Sequence, residues 1–198
     1  MRSIDLLQDE HRQITRLLDG LDRIVQRAAV RGQVDGPEAT ELLGLFDAFA
    51  DGWHQDKEEE YLFPRLLQRA SAGEARRIRS LFHDHSEERR RMMSMRAHVV
   101  SAIYGEPLSV REFVRDARGF IQLHRRHMAQ ENGVVFPMAE RLLTDSDDQE
   151  IAQGFERVDV EFSVTPSTFE RMSKVCDRLD SLDGEGEPTD DFPMAKAE

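Results

Sequence analysis

The hydrophobic positions of the chain recur at intervals of three and four residues over long stretches. This is the spacing of one face of an amphipathic helix, and it differs from the strict alternation of a half-buried strand. The first stripe, which includes one histidine, comprises Leu7, His11, Ile14, Leu18, Leu21 and Val25. Glycine and proline follow between residues 31 and 37, and both interrupt helices. The pattern therefore predicts a first long helix that ends near Arg31.

Three further stripes predict helices over about residues 37–69, 71–103 and 109–143. Capping-box pairs, in which a serine precedes an acidic or amide residue by three positions, mark the expected helix starts. The pairs are Ser71 with Glu74, Ser109 with Glu112, Ser146 with Gln149, and Ser167 with Glu170. Short loops make consecutive long helices antiparallel neighbours. The sequence thus predicts an all-α fold, an up-down-up-down four-helix bundle.

The C-terminal part of the chain has a different pattern. Two shorter helices are predicted at about 146–162 and 166–181, both packed on the bundle. The last segment, 183–198, is acidic and has few large apolar side chains, so it is predicted to be disordered. We therefore expect a bundle over 1–145, additional helices over 146–182 and a disordered acidic tail over 183–198.

Composition and charge narrow the class of protein. The net charge of −12 over 198 residues argues against nucleic acid as a partner, because phosphate binding needs a basic surface. No run approaches the about 18 apolar residues of a membrane span. The single cysteine and the absence of a secretory pattern predict a cytoplasmic protein. Arginines of the third helix alternate with Asp84, Glu87 and Glu88, which predicts a solvated face.

An internal repeat brings candidate chemistry into the bundle. Two segments share a His-x-x-x-Glu motif followed at the same distance by Phe-Pro, and they are 73 residues apart (from 54 to 127). The two copies are His54, Glu58, Phe63 and Pro64, and His127, Glu131, Phe136 and Pro137. The first and third helices repeat at an offset of 74, which aligns His11 with His85. The chain is therefore two helix pairs of one plan.

The spacing within each motif has a direct physical meaning. Residues four apart share one face of a helix, so each pair can direct an imidazole and a carboxylate toward one interior point. A buried carboxylate needs compensating positive charge. Imidazole and carboxylate together suit iron, manganese or zinc, and helix-borne carboxylates recur in di-iron bundles. The repeat therefore predicts a metal centre between the helices.

This order of motifs, a His and a His-x-x-x-Glu given twice, resembles the hemerythrin family and most closely its bacterial hemerythrin-like branch. The phrases DEH, EEYLFPRL and HMAQENGVVFPMAERLL carry the resemblance, which covers about residues 5–143. It implies a non-haem centre of two iron ions, bridged by carboxylates and an oxo or hydroxo group, that binds or reacts with O₂, peroxide or nitric oxide. The ligands it implies are His11, His54, Glu58, His85, His127 and Glu131.

The sequence departs from the oxygen carriers of that family at two points. A fifth histidine, one turn from the first on the third helix, is replaced by Arg89 or, in the other direction, Leu81. The last motif is also His-x-x-x-Glu rather than His-x-x-x-x-Asp. His124 could provide a further ligand, and a histidine that supports the ligands or lies at the surface explains it equally simply. Tyr61 could also ligate or hydrogen-bond an iron-bound oxygen species, but a core aromatic is the favoured interpretation. Glu59 could accept a hydrogen bond from a ligand histidine.

Three classes of function remain open at this stage. Fewer protein ligands leave more coordination positions for small molecules, which favours peroxide- or nitric-oxide-reactive chemistry over specialised oxygen storage. The alternative is an iron-sensing or iron-handling module without turnover, in which helix formation depends on metal. The third is an interaction module that uses the Arg-rich helix or the acidic tail.

Overall fold

Helices account for every regular element in the computed structural model, which describes residues 1–181. The predicted all-helical class is confirmed for this part of the chain; the predicted tail over 183–198 lies outside the described residues. The long helices α4 and α5 pack extensively on each other, and α1 packs on α5. The α-helices are α1 (Arg2–Arg31), α2 (Gly36–Leu45), α3 (Phe63–Leu67), α4 (Ala72–Ile103), α5 (Pro107–Gln130), α6 (Phe136–Leu142), α7 (Asp145–Glu161) and α8 (Pro166–Ser181).

Three π-helical segments join some of these helices into longer runs. They are π1 (Phe46–His54), π2 (Lys57–Leu62) and π3 (Glu131–Val135). The backbone N–H of Phe63 donates to the carbonyl of Glu58, five residues back, and that of Phe136 donates to the carbonyl of Glu131. A proline follows each phenylalanine, where a missing N–H favours a restarted helix. Each Phe-Pro pair thus ends a π-helical turn that begins beside a motif glutamate.

The helix starts agree with the predicted capping boxes at one position. The Ser71 hydroxyl accepts from the backbone N–H of Glu74, whose carboxylate in turn accepts from the N–H of Ser71. The box expected at Ser109 is wrong. Helix α5 begins two residues earlier at Pro107, and the Glu106 carboxylate caps it by accepting from the N–H groups of Leu108 and Ser109.

The two later helices also begin before the serines that were expected to cap them. Helix α7 begins at Asp145, and the reciprocal cap is formed by Thr144 and Asp147 rather than Ser146. Helix α8 begins at Pro166, so Ser167 lies inside its first turn. A fixed proline φ angle and an upstream threonine therefore outweigh the serine signals.

The C-terminal helices contribute to the hydrophobic core. Helix α1 packs against both α7 and α8. Ile151 and Phe155 of α7 and Leu179 of α8 are at most 2% exposed. A Cβ atom on Gly20 of α1 would lie 2.8 Å from Leu179, so the two helices approach closely there. Within residues 1–181, no helix has the length and apolar character needed to cross a membrane.

Candidate metal centre

The six histidines and glutamates of the repeated motifs lie together in the interior. Their potential ligand atoms fall into two groups, and within each group all atoms lie within 4.8 Å of one another. The first group is His11, His54, Glu58 and Glu131; the second is Glu58, His85, His127 and Glu131. Both glutamates belong to both groups. The side chains could therefore hold two neighbouring metal ions that share two carboxylates.

Six helical segments supply these six residues. Helices α1 and α4 each supply one histidine, His11 and His85, from the face that packs inward. Helix α5 supplies His127 from its last turns, and the π-helical segments supply the remaining three: His54 at the end of π1, Glu58 in π2 and Glu131 at the start of π3. All six are at most 3% exposed. Because π-helical turns occur often at functional sites, their position at both motifs is consistent with a ligand-bearing role.

Each glutamate lies between two imidazoles. The Glu58 oxygens are 3.7 Å from His54 Nε2 and 3.4 Å from His85 Nε2. The Glu131 oxygens are 3.3 Å from His11 Nε2 and 3.0 Å from His127 Nε2. The Nε2 atoms of His85 and His127 are 3.0 Å apart. These atoms converge on a common interior region.

Several of these converging atoms have no hydrogen-bond partner. They are His11 Nε2, His54 Nε2 and both carboxylate oxygens of Glu58 and of Glu131. Buried polar atoms without a partner are rare in native proteins, and buried carboxylates are costly unless a positive charge accompanies them. The donor set, imidazole nitrogens with shared carboxylates, fits a pair of first-row transition metal ions.

The outward-facing nitrogen of each histidine contacts an oxygen. His54 Nδ1 is 2.8 Å from Glu10 Oε2, and His85 Nδ1 is 2.7 Å from Glu59 Oε1. The sequence predicted that Glu59 accepts a hydrogen bond from a ligand histidine, but it did not predict the same role for Glu10. An acceptor at Nδ1 fixes the proton there and leaves Nε2 free to bind a metal ion.

His11 follows the same rule, whereas His127 Nδ1 has only an ion-pair contact and no hydrogen-bond partner. His11 Nδ1 is 3.1 Å from Asn132 Oδ1, and His127 Nδ1 is 3.6 Å from Asp84 Oδ2, which is an ion-pair distance. Asn132 and Asp84 were also missed. Asn132 follows Glu131 in the sequence and Asp84 precedes His85, so adjacency to a motif residue could have indicated both.

A buried ion-pair network connects the centre to α7. Glu10 accepts from Lys57 Nζ at 2.7 Å, and Lys57 Nζ is also 2.7 Å from Asp159 Oδ1. Trp53 Nε1 donates to the same Asp159 oxygen at 2.6 Å, and Lys57 Nζ lies 3.5 Å from the Trp53 ring centroid. Lys57 is only 2% exposed. The His54 imidazole is thus linked through Glu10 and Lys57 to a C-terminal helix.

The electrostatics of the centre favour bound protons when no metal ion compensates the charge. Burial and the neighbouring Glu131 raise the pKa of Glu58 from 4.5 to about 7. Burial raises the pKa of Glu10 to about 8, against the opposing effect of Lys57. Burial lowers the pKa of His85, but contacts with Glu58 and Glu59 outweigh it and raise the value to about 9. In the metal-free centre, bound protons therefore provide part of the positive charge that metal ions would otherwise supply.

The two additional ligand candidates have different surroundings. The ring of Tyr61 packs against Gly154 and Phe155 of α7. His124 is 1% exposed, so it is not a surface histidine, and its Nδ1 atom lies 3.2 Å from Glu88 Oε2. The expectation that Glu88 lies on a solvated face is wrong, because this residue is 1% exposed. It lies one turn beyond His85, on the same side of α4.

Comparison with known proteins identifies the domain. The hemerythrin HHE cation binding domain matches residues 2–139, which is most of the chain. The chain belongs to the hemerythrin HHE family. Similar proteins include uncharacterized proteins of Mycobacterium bovis and Mycobacterium tuberculosis, each 26% identical over 153 residues, or 76% of this chain. This hemerythrin-like chain matches 58% of the length of those relatives. No solved structure matches it.

Proposed function

We propose that this hemerythrin-like chain holds two iron ions between the helices of an up-down-up-down bundle and binds or reacts with O₂, peroxide or nitric oxide. The observation that carries the proposal is the pair of ligand groups that share Glu58 and Glu131. Two carboxylates common to both groups suit a bridged pair better than two independent ions. The proposed ligands are His11, His54, Glu58, His85, His127 and Glu131.

The protein residues hold and enclose the pair in this proposal. Glu58 and Glu131 compensate the metal charge, and the four imidazoles supply the terminal ligands. Phe63 stacks on His85 with ring centroids 5.9 Å apart, and Phe136 stacks on His11 at 5.4 Å. The repeated Phe-Pro pairs therefore also orient ligand rings and exclude water beside them. When bound, the iron pair would supply the electrons for small-molecule binding or reduction.

The number of protein ligands favours reactivity over storage. Each ligand group has two histidines and two shared glutamates. An iron ion that prefers more than four ligands would keep positions for exogenous molecules. We therefore propose that turnover of peroxide or nitric oxide, rather than reversible oxygen carriage, is the activity of the loaded protein.

The decisive experiment combines metal analysis with reactivity. The purified full chain is loaded with Fe(II) without oxygen, its iron content is measured, and it is then mixed separately with O₂, hydrogen peroxide and nitric oxide. Two irons per chain support the proposal if they catalyse the disproportionation of peroxide, or if each Fe(II) pair, on oxidation to Fe(III), reduces two molecules of nitric oxide to one N₂O and one water. A colourless zinc protein, or reversible O₂ binding without turnover of either other molecule, would overturn it.

Iron sensing is a second candidate because the network through Glu10, Lys57 and Asp159 links His54 to α7. Helix α7 lies outside the matched residues 2–139. Metal occupancy could therefore alter the packing of α7 through His54. Chelation that changes Trp53 fluorescence and removes much of the far-ultraviolet helix signal, without any turnover activity in the loaded protein, would favour this function.

A further inference from the structure

Gln55, Glu88 and His124 form a second buried polar cluster, here named the polar trio. Gln55 Nε2 donates to Glu88 Oε2 at 2.8 Å, and His124 Nδ1 is 3.2 Å from the same oxygen. The three side chains come from different helical runs and are at most 2% exposed. None belongs to the two ligand groups of the candidate metal centre. The polar trio is therefore a separate set of potential ligands.

Each member of the polar trio has a buried polar atom without a hydrogen-bond partner. These atoms are Gln55 Oε1, Glu88 Oε1 and His124 Nδ1. The imidazole nitrogen of His124 lies within ion-pair distance of the Glu88 carboxylate. The candidate metal centre has the same combination, since His11 Nε2 and Glu131 Oε2 are 3.3 Å apart and both lack a partner. Buried polar atoms without a partner are rare and require an explanation, and a bound ion would provide one.

The internal repeat indicates that the fold does not require polar side chains at two of these three positions. The offset of 74 between the first and third helices places Ile14 at the position equivalent to Glu88 (88 − 74 = 14). The offset of 73 places Met128 at the position equivalent to Gln55 (55 + 73 = 128). Both equivalents are buried apolar residues. Two members of the polar trio therefore replace core residues of the other repeat at the cost of burying polar atoms.

We propose that the polar trio is a third cation site, which takes one divalent transition metal ion through the Glu88 carboxylate, the His124 imidazole and the Gln55 amide oxygen. Nitrogen and oxygen ligands in this combination suit Fe(II), Mn(II) or Zn(II). Rotation of the Gln55 amide by half a turn brings its oxygen to the point that its nitrogen occupies, 2.8 Å from the Glu88 oxygen that His124 Nδ1 approaches at 3.2 Å. Water completes the coordination.

The site would be weaker than the shared pair, because the polar trio provides one carboxylate for one ion. The ring centroids of His124 and His127 are 6.1 Å apart, so the third ion would lie close to the pair. Its binding does not depend on whether the pair reacts with small molecules. A third ion bound beside a tight pair would suit delivery or release of metal.

Metal stoichiometry tests the third site directly. The full chain is titrated with Fe(II) without oxygen, and with Zn(II), by equilibrium dialysis and elemental analysis. We expect three ions per chain, of which the weakest is absent in Glu88→Gln. The matched control is Glu87→Gln, since Glu87 pairs with Arg90 and Arg91 at the surface and should keep all three. His124→Gln should lose the same ion if Glu88→Gln folds poorly.

The outcomes separate this site from the proposed function. Two ions per chain in the unaltered protein, or three in Glu88→Gln, would overturn the third site and leave the pair intact. No bound metal at all would overturn both.

Discussion

Glu58 and Glu131 have the same side chain and similar burial, but their charges are compensated differently. Burial and Glu131 raise the pKa of Glu58, whereas for Glu131 burial is outweighed by His127 and His11, which hold its pKa well below the ordinary value. The metal-free centre therefore carries one ionised carboxylate and one that binds a proton near neutral pH. A metal pair would remove this difference because both carboxylates would then be ionised.

Replacing Glu58 by glutamine tests the shared-ligand role. Glu58→Gln removes one charge from both ligand groups, so we expect metal affinity to fall by more than about 100-fold, the upper range for partners that only support a ligand. The metal-free variant should stay folded, because a glutamine resembles the protonated carboxyl that burial favours. Isothermal titration with Fe(II) or Zn(II) measures the change. The control is Glu60→Gln, an exposed position on the same π-helical turn, where unchanged affinity is expected.

The pH dependence of the metal-free protein follows from groups whose pKa values are raised on folding. Those of Glu58, Glu10 and His85 rise to about 7, 8 and 9 from ordinary values of 4.5, 4.5 and 6.5. The stabilisation that these three groups give the folded state is complete at pH values below their ordinary pKa values. It is lost as the pH rises through their raised pKa values. The lowered pKa values of Glu131 and His54 do not oppose this trend above pH about 6.5.

We therefore expect the Tm of the metal-free chain to fall between pH 6.5 and 9. Each proton that the folded state alone retains is worth about 1.4 kcal/mol per pH unit. The metal-loaded chain should show a flatter profile, because the cations replace these protons and metal affinity rises with pH. Calorimetry of both forms measures the difference. A Tm that is constant or rises over this range in the metal-free form would contradict the assigned protonation.

The residues of the centre differ in how well the sequence reveals them. The motif histidines and glutamates could be found because spacing and repetition place them on common faces. Glu10, Lys57 and Asp159 could not, because the contacts that bring them together join distant residues: Glu10 lies 44 positions from His54 and 47 from Lys57, and Asp159 lies 106 positions from Trp53. Glu88 was misassigned because a run of charges favours a solvated face, and only packing distinguishes the one member that turns inward.

At the scale of the elements, the π-helical turns are the feature that periodicity could not predict. A backbone hydrogen bond that spans five residues instead of four shifts the apolar stripe only slightly. The segments 37–69 and 109–143 were therefore predicted as continuous helices. The Phe-Pro pairs were the available signal, since a proline removes one N–H from the ladder. Their repetition at 63–64 and 136–137 indicates that both motifs need the same local widening.

The packing of α7 on π2 can be tested at a single glycine. A Cβ atom on Gly154 would lie 2.1 Å from the Tyr61 ring, so Gly154→Ala must displace that ring. Such overpacking costs about 1–3 kcal/mol, and Tm falls by about 2–4 °C for each kcal/mol in a chain of this size. The control is Gly44→Ala in α2, where the added Cβ meets no atom within 4 Å and the helix should be slightly stabilised.

The same variant reports on the link between α7 and the metal centre. Trp53 is the single tryptophan of the chain and donates to Asp159 of α7. If Gly154→Ala loosens α7, the Trp53 emission should shift to longer wavelength, and metal affinity should fall through the Lys57 and Glu10 contacts. An unchanged emission spectrum and unchanged Tm would show that Tyr61 does not hold α7 in place.

At the scale of the whole molecule, the hydrophobic core extends beyond the residues that match the family. The match ends at residue 139, yet α7 and α8 bury a further set of apolar side chains. They are Ile151, Ala152, Phe155, Val158, Met172, Val175, Cys176 and Leu179. The sequence predicted that these helices pack on the rest because their stripes are amphipathic. It could not predict which surface they cover, since that depends on contacts with distant residues such as Gly20.

Cys176 provides a probe of how firmly α8 is attached. The thiol is 3% exposed and burial raises its pKa, so a thiol reagent should reach it only when α8 opens. Surface ion pairs between Arg16 and Asp177 and between Arg23 and Asp180 join α8 to α1, and exposed pairs of this kind contribute about 0–1 kcal/mol each. The buried apolar contacts should therefore dominate the opening free energy.

We expect the native thiol to react with an aromatic disulfide reagent at least about 100-fold more slowly than the denatured chain, since opening of a packed helix is a local unfolding event. Leu179→Ala should accelerate the reaction strongly because it removes a fully buried contact, whereas Asp180→Asn should change it little. Comparing metal-loaded and metal-free protein then measures coupling across the molecule. A slower reaction in the loaded form would mean that metal binding stabilises α8 through α1 and α7, and equal rates would mean that the centre and α8 act independently.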